Sequence, residues 1–160
     1  VRASDLAYVD KEKIGMLGHS MGGGVTINTL VTVPDLVNAA VLFAPVSADN
    51  ENNFDRWLSR RPELAEKIIQ TYGSPESSPD FWHDISAVNF LDRVKAPVLL
   101  HHGTADESVP VEWSDKLEAS LMDVGKTITY HKYAGQPHEF TLIWGLVMQR
   151  TVDFFDENLK

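Results

Sequence analysis

Three side chains of complementary chemistry stand at three separated points of the sequence. Ser20 is the centre of Gly18-His19-Ser20-Met21-Gly22, a G-x-S-x-G run; Asp106 closes His102-Gly103-Thr104-Ala105-Asp106; and His138 lies in Gly135-Gln136-Pro137-His138-Glu139-Phe140. A serine hydroxyl is a weak nucleophile. It needs a histidine to take its proton, and that histidine needs a carboxylate to fix its tautomer and stabilise the imidazolium. Glycines two residues to either side of Ser20 leave room for the strained backbone of a sharp strand-to-helix turn. Taken alone, the motif is also compatible with a tight turn carrying an incidental serine, and Glu107 competes with Asp106 for the role of the acid.

The elements that must position these residues are legible as apolar runs of strand length alternating with helical patterns, the signature of βαβ units and a parallel sheet. Strands are expected over Lys13–Gly18, Ala39–Phe43, Pro97–His101 and Thr127–Tyr133. Helices are expected over Gly22–Val33, stopped by Pro34, and over Val111–Val124, with Trp113, Leu117, Leu121 and Val124 on one face and Gly125 as the stop. A terminal helix from about Thr141 to Leu159 should turn Ile143, Leu146, Val147, Phe154 and Phe155 toward the sheet. The segment between Ser47 and Arg93 is too long for an ordinary crossover and carries its own pattern, Phe54, Trp57, Leu58, then Leu64, Ile68, Ile69. It reads as an inserted helical cap over about residues 48–93, with Pro62 in the first turn of its second helix, a stop at Tyr72-Gly73-Ser74-Pro75, and a further short helix within Pro79–Val94.

On this reading Ser20, Asp106 and His138 each follow a strand, and open α/β sheets gather their catalytic groups at those carboxyl ends. Their chain order is the one the α/β-hydrolase architecture requires. The combination of Gly18-His19-Ser20-Met21-Gly22-Gly23, His102-Gly103-Thr104-Ala105-Asp106 and Pro137-His138-Glu139-Phe140 resembles the C-terminal half of the prolyl-oligopeptidase-like hydrolases and their dienelactone-hydrolase and esterase relatives, over nearly the whole chain. The resemblance implies a truncated α/β-hydrolase fold, with a mostly parallel sheet of about four strands, flanking helices and the cap insertion, all in a single partial catalytic domain. It makes Ser20 the nucleophile, Asp106 the acid and His138 the base, with Met21 donating its backbone N–H to the oxyanion hole. Members of the family take a second oxyanion donor from a loop that would lie before residue 1, and losing one such donor typically costs about 10²–10³ in turnover. By the same correspondence the Ile14–Leu17 strand would have an unpaired edge, which recruits another chain. The expected partner is a second copy, in a homo-oligomer such as a dimer, or a missing N-terminal piece.

The remaining residues of chemical interest read more plainly. His19 adjoins Ser20 and cannot be its base, because neighbouring side chains diverge at a tight turn; it is expected to pack or to lend polarity near the substrate. His101 and His102 alternate across a strand and so cannot share a metal, and no H-E-x-x-H spacing exists, so no metal is expected. His131 reads as a hydrogen-bonded strand histidine and His83, beside Asp84, as exposed. Phe54, Trp57, Phe81 and Trp82 are candidates for a substrate pocket beneath the cap or for its core. Gly22-Gly23-Gly24 lacks the rest of a phosphate-binding loop and reads as close packing behind the serine. Arg56, Arg60, Arg61 and Lys67 alternate with acids as a solvated helix face.

Composition closes off other classes. The 160 residues carry 14 Lys and Arg against 23 Asp and Glu, a formal charge of −9, with 43% hydrophobic residues and no cysteine. That length buries one sizeable core. The acidic balance lacks the basic stripe that nucleic acid requires. Without cysteine there is no disulfide scaffold, thiol nucleophile or thiolate metal site. No apolar run approaches the length of a membrane span, and Val1-Arg2-Ala3-Ser4-Asp5 has no secretory pattern, which favours the cytoplasm. The first methionine is Met16, within a predicted strand, so the chain is expected to be processed or truncated. The function expected is a serine hydrolase needing no cofactor, foremost a carboxylesterase acting on small acyl esters of short or medium chain, with a prolyl-oligopeptidase-type peptidase or a catalytically incomplete fragment as alternatives.

Overall fold

A computed structural model describes residues 6–58 and 60–160; Val1–Asp5, read above for a signal pattern, lie outside the described residues. Four strands, β1 (Gly15–His19), β2 (Ala39–Phe43), β3 (Val98–Gly103) and β4 (Ile128–Tyr133), form one sheet in the order β1-β2-β3-β4, and all three pairings are parallel. Every residue of β2 and β3 is buried, as continuous apolar strands between two layers must be. The two-residue period divides their side chains. Leu42, Val98 and Leu100 pack with Ile27 and Leu30 of helix α1 (Met21–Thr32) on one face, and Val41, Phe43 and Leu99 pack with Phe140 and Val147 on the other.

Helix α5 (Val111–Asp123) covers the first face with Leu117 and Leu121. Ser114 is buried on that side, whereas Val124 lies past the helix end and is exposed. Helix α6 (Trp144–Asn158) covers the second face and starts three residues later than the sequence pattern implies. Val147 is buried there, and Ile143, Phe154 and Phe155 pack beside it; Leu146 turns to solvent, because it lies about 100° around the helix from Val147.

The long excursion between β2 and β3 is helical, with divisions the sequence did not mark. It comprises α2 (Asn50–Asn53), a π-helical turn (Phe54–Leu58), α3 (Pro62–Tyr72) and α4 (Pro79–Ile85), then a 3₁₀ segment (Ala87–Arg93). Pro62 opens α3, and Gly73 ends it with a φ of 84° that favours glycine. The stretch read as one helix within Pro79–Val94 breaks at Ser86, whose hydroxyl donates to Trp82 O at 2.7 Å and accepts from Asn50 N at 2.9 Å. Ala87, Leu91 and Val94 then join the core against α1. The protruding part therefore ends near Ile85, and the last segment belongs to the body of the fold. Among the described residues, no helix is long and apolar enough to cross a membrane.

Candidate active site

Ser20 is the residue at which β1 stops and α1 begins, and its backbone is held at φ 56°, ψ −118°. A non-glycine residue in that region costs about 1–3 kcal/mol and persists only where its surroundings over-determine it. They do so here. Ser20 N donates to Phe43 O at 2.8 Å, and Ser20 O accepts from the amides of Gly23, Gly24 and Val46 at 3.0, 3.3 and 3.1 Å. The turn can be this tight only because Gly18 has no side chain: a Cβ there would stand 2.2 Å from Gly22 O. Gly23 and Gly24 press against Pro45 and Val46, the close packing read from the sequence, while Gly22 faces open space. Met21 opens α1, where amides have no intrahelical acceptor, and its N–H finds no other acceptor among the described residues.

Asp106 and His138 leave β3 and β4 on two loops zipped together. Thr104 N donates to Tyr133 O at 2.9 Å, Ala105 N to Gln136 O at 3.0 Å, and Gly135 N to Thr104 Oγ1 at 2.8 Å. This brings His138 Nδ1 to 2.6 Å from Asp106 Oδ2. Burial alone would raise the Asp106 carboxyl, but the hydrogen bond from His138 and the amides of Val109 and Ser108 outweigh it and hold the group below the usual carboxylate range. Glu107 is exposed and takes no part in these bonds. With a carboxylate oxygen on Nδ1, the ring donates from that nitrogen and leaves Nε2 as the acceptor. No hydrogen bond joins Ser20 Oγ to His138 among the described residues. The two are linked through His19, whose Nε2 donates to His138 O at 3.1 Å and whose ring lies 4.4 Å from the imidazole of His138, centre to centre.

A cavity of about 700 Å³ opens in front of Ser20 and Met21, walled by Trp57, Val25, Asn50 and Asn53, with Arg60 and Arg61 at its rim. Of the pocket candidates only Trp57 lines it. Phe54 meets Trp82 edge-on at 4.9 Å, Phe81 stacks on Tyr72 at 4.7 Å, and Trp82 is buried with its Nε1–H on Gly73 O, so these three hold the protrusion together. His19 faces another hollow, with Leu17, Phe43, Glu139, Trp144 and Met148. Arg60 and Arg61 are exposed, as the solvated face required, and they also line this cavity. Arg56 ties the Trp57 wall to the Asp106 loop, donating through Nε and Nη2 to Ser108 O at 3.0 and 2.8 Å.

His101 and His102 do point to opposite faces. His101 Nδ1 accepts from Tyr133 Oη at 2.9 Å, and burial, with His131 and Arg150 nearby, pushes it down to about 3. His131 sits on β4 opposite His101 and its ring stacks on that imidazole; contrary to the sequence reading, the ring makes no side-chain hydrogen bond among the described residues. His102 faces Asp106, with Nε2 3.1 Å from Oδ2, a contact that strand alternation predicts once the acid loop is known to curl back over that face. No group of three or more His, Asp or Glu residues is gathered to hold a metal among the described residues.

The sequence profile of the prolyl oligopeptidase family matches residues 2–160. Dipeptidyl peptidase 4 of Sus scrofa is 26% identical over 136 residues, 84% of this chain and 17% of that protein. The uncharacterized peptidase YtmA of Bacillus subtilis is 26% identical over 132 residues, 82% of this chain and 50% of that protein. The crystal structure of Porphyromonas gingivalis dipeptidyl peptidase 4 superposes with a TM-score of 0.77 at 21% identity, over 98% of this chain and 21% of the other. The likeness to that structure is one of fold, and the chain spans a sixth to a half of the length of these curated relatives.

Proposed function

The chain belongs to the prolyl oligopeptidase family, and on that footing we propose that it is the catalytic portion of a serine peptidase, with Ser20 as nucleophile, His138 as base and Asp106 as the acid behind it. The observation that carries this reading is the 2.6 Å contact between His138 Nδ1 and Asp106 Oδ2 on the same sheet end as the strained turn at Ser20. Peptidase stands ahead of carboxylesterase because the named relatives are peptidases; ester cleavage uses the same chemistry with an easier leaving group.

In the proposed reaction His138 Nε2 takes the hydroxyl proton as Ser20 Oγ attacks the scissile carbonyl. The oxyanion that forms accepts from Met21 N–H, at the positive end of the α1 dipole. Collapse breaks the C–N bond, the amine leaves with the proton held by His138, and an acyl group remains on Ser20. Water, deprotonated by His138, then releases the acid. The residue donating the carbonyl sits against Trp57 in the cavity, which accepts an apolar side chain.

β1 pairs only with β2 in the described chain and exposes Leu17 at its open edge. That supports the companion proposal that another strand, from a second copy or from further chain, covers it; light scattering that finds a strict monomer with full activity would exclude the dimeric form. The test of the main reading compares aminoacyl p-nitroanilides with p-nitrophenyl butyrate, each beside Ser20→Ala. Ser20-dependent cleavage of the anilides is expected, and Ser20-dependent turnover confined to the ester would return the reading to carboxylesterase.

A further inference from the structure

Asp106 is bonded on every side. Oδ1 accepts from Ser108 N and Val109 N, both at 2.8 Å, and Oδ2 accepts from His138 Nδ1 at 2.6 Å and from His102 Nε2 at 3.1 Å. A carboxylate offers about four acceptor sites. All are taken, and the fourth donor is a side chain of the sheet itself. We propose that His102 is a positioning residue for the Asp106–His138 pair, fixing the plane of the carboxylate as a neutral Nε2–H donor; of the reading above, this takes only that Asp106 and His138 work together.

The tautomer follows from its surroundings. Nε2 faces two acceptors, Asp106 Oδ2 and Val109 O, each at 3.1 Å, so it carries the proton. Nδ1 then accepts from the hydroxyl of Ser114, 2.6 Å away on α5. Val109 closes the ring, its N–H on Asp106 Oδ1 and its C=O on His102. His102 is completely buried, and the titratable groups facing it are Asp106 and His138. Burial drives the imidazole below its ordinary range against the pull of Asp106. Neutrality suits the role: a second cation on Oδ2 would cancel the charge that must stabilise His138 when it is protonated in the transition state. A neutral dipole orients the carboxylate and leaves its charge to His138.

The test pairs kinetics with a signature that needs no turnover. In the full chain, the low-field proton resonance of His138 Nδ1–H and the kcat and KM of the anilide substrate are measured for wild type, His102→Leu, His102→Gln and Ser114→Ala. Loss of a hydrogen bond to a charged group predicts a fall in kcat of about tenfold or more in His102→Leu, with KM within twofold and the resonance displaced. Gln restores a donor near Nε2 and should bring both back toward wild type. Ser114→Ala leaves Asp106 untouched but frees the ring, and should displace the resonance with a kcat loss of roughly threefold. A folded His102→Leu variant with wild-type kcat and an unmoved resonance would overturn the proposal; if that variant does not fold, an unmoved resonance in Ser114→Ala does so. Should the chain lack Ser20-dependent turnover, the resonance still decides the matter.

Discussion

His138 Nδ1 stands 2.6 Å from Asp106 Oδ2 although the two residues leave different strands, because Thr104 and Ala105 of one loop are hydrogen-bonded to Tyr133, the last residue of β4, and to Gln136 of the loop that follows it. The pair is thus part of the backbone's own bonding rather than a chance meeting of two flexible side chains.

Replacing the acid by its amide tests that pair directly. Asp106→Asn keeps the volume and the bonds from Ser108 and Val109 but offers His138 an uncharged partner of ambiguous hydrogen bonding. In serine proteases the equivalent change lowers kcat about 10⁴-fold by selecting the wrong tautomer. A loss of that order, with KM little changed, is expected from steady-state kinetics on the folded variant, whose melting temperature should fall because the amide NH2 meets the donors His138 Nδ1 and His102 Nε2.

Gly18 and Gly22 make a matched pair for stability. A methyl group on Gly18 would meet Gly22 O at 2.2 Å and Thr26 Oγ1 at 2.5 Å, whereas one on Gly22 meets nothing within 4 Å. Gly18→Ala should cost about 3 kcal/mol, a fall in Tm of roughly 6–12 °C for a domain of this size. Gly22→Ala should be neutral or stabilising by up to about 1 kcal/mol. Equal melting temperatures for the two variants would contradict the geometry of the turn.

His101 predicts a pH dependence of stability that has nothing to do with catalysis. Its imidazole, fully buried, is pushed down to about 3 from an ordinary 6.5. Between those values the unfolded chain binds a proton that the folded chain refuses, so acidification favours unfolding. The contribution is complete above pH 6.5 and is lost by about 1.4 kcal/mol per pH unit as the pH falls through the window. Urea denaturation at pH 7 and pH 4.5 should show the loss, and His101→Gln should flatten it.

Arg56 is expected to act on binding rather than chemistry. It anchors the turn bearing Trp57 to Ser108 O and Glu107 O, on the loop that holds Asp106. Arg56→Ala should raise KM severalfold and leave kcat within twofold. A variant that loses kcat and keeps KM would mean that the tie serves the acid and not the cavity wall.

How far the sequence could be read depended on whether neighbours in the chain decide a residue's surroundings. β2 and β3 are short apolar runs buried on both faces, and the turn at Ser20 declares itself through glycines at fixed offsets, so both were legible. The same holds for Asp106 and His138, each in a short loop after a strand. Strand alternation places His102 on the face opposite His101, yet its partner, Asp106, reaches it only because the acid loop folds back. Within the protrusion the aromatic spacing could not say which rings meet one another. Phe54 turns to Trp82 of α4, which arrives much later in the chain, whereas Trp57 lines the cavity. Leu146 and Val124 differ from the sequence pattern for a plainer reason: Leu146 lies at the margin of its apolar stripe and Val124 just past the end of its helix, and both are exposed.

The chain leaves the sheet at Phe43 and rejoins it at Val98, and between them α3 has no buried residue. Closing a loop grows costlier only with the logarithm of its length, about 0.6 kcal/mol for each doubling. Several glycines inserted between Glu76 and Ser77, both exposed, should therefore shift the melting temperature by only a few degrees. The same arithmetic gives the molecule an interchangeable part. The segment that bears Trp57, Arg60 and Arg61 can change in length while the sheet that carries Asp106 and His138 stays as it is, so the shape of the cavity is set separately from the pair at the sheet's end.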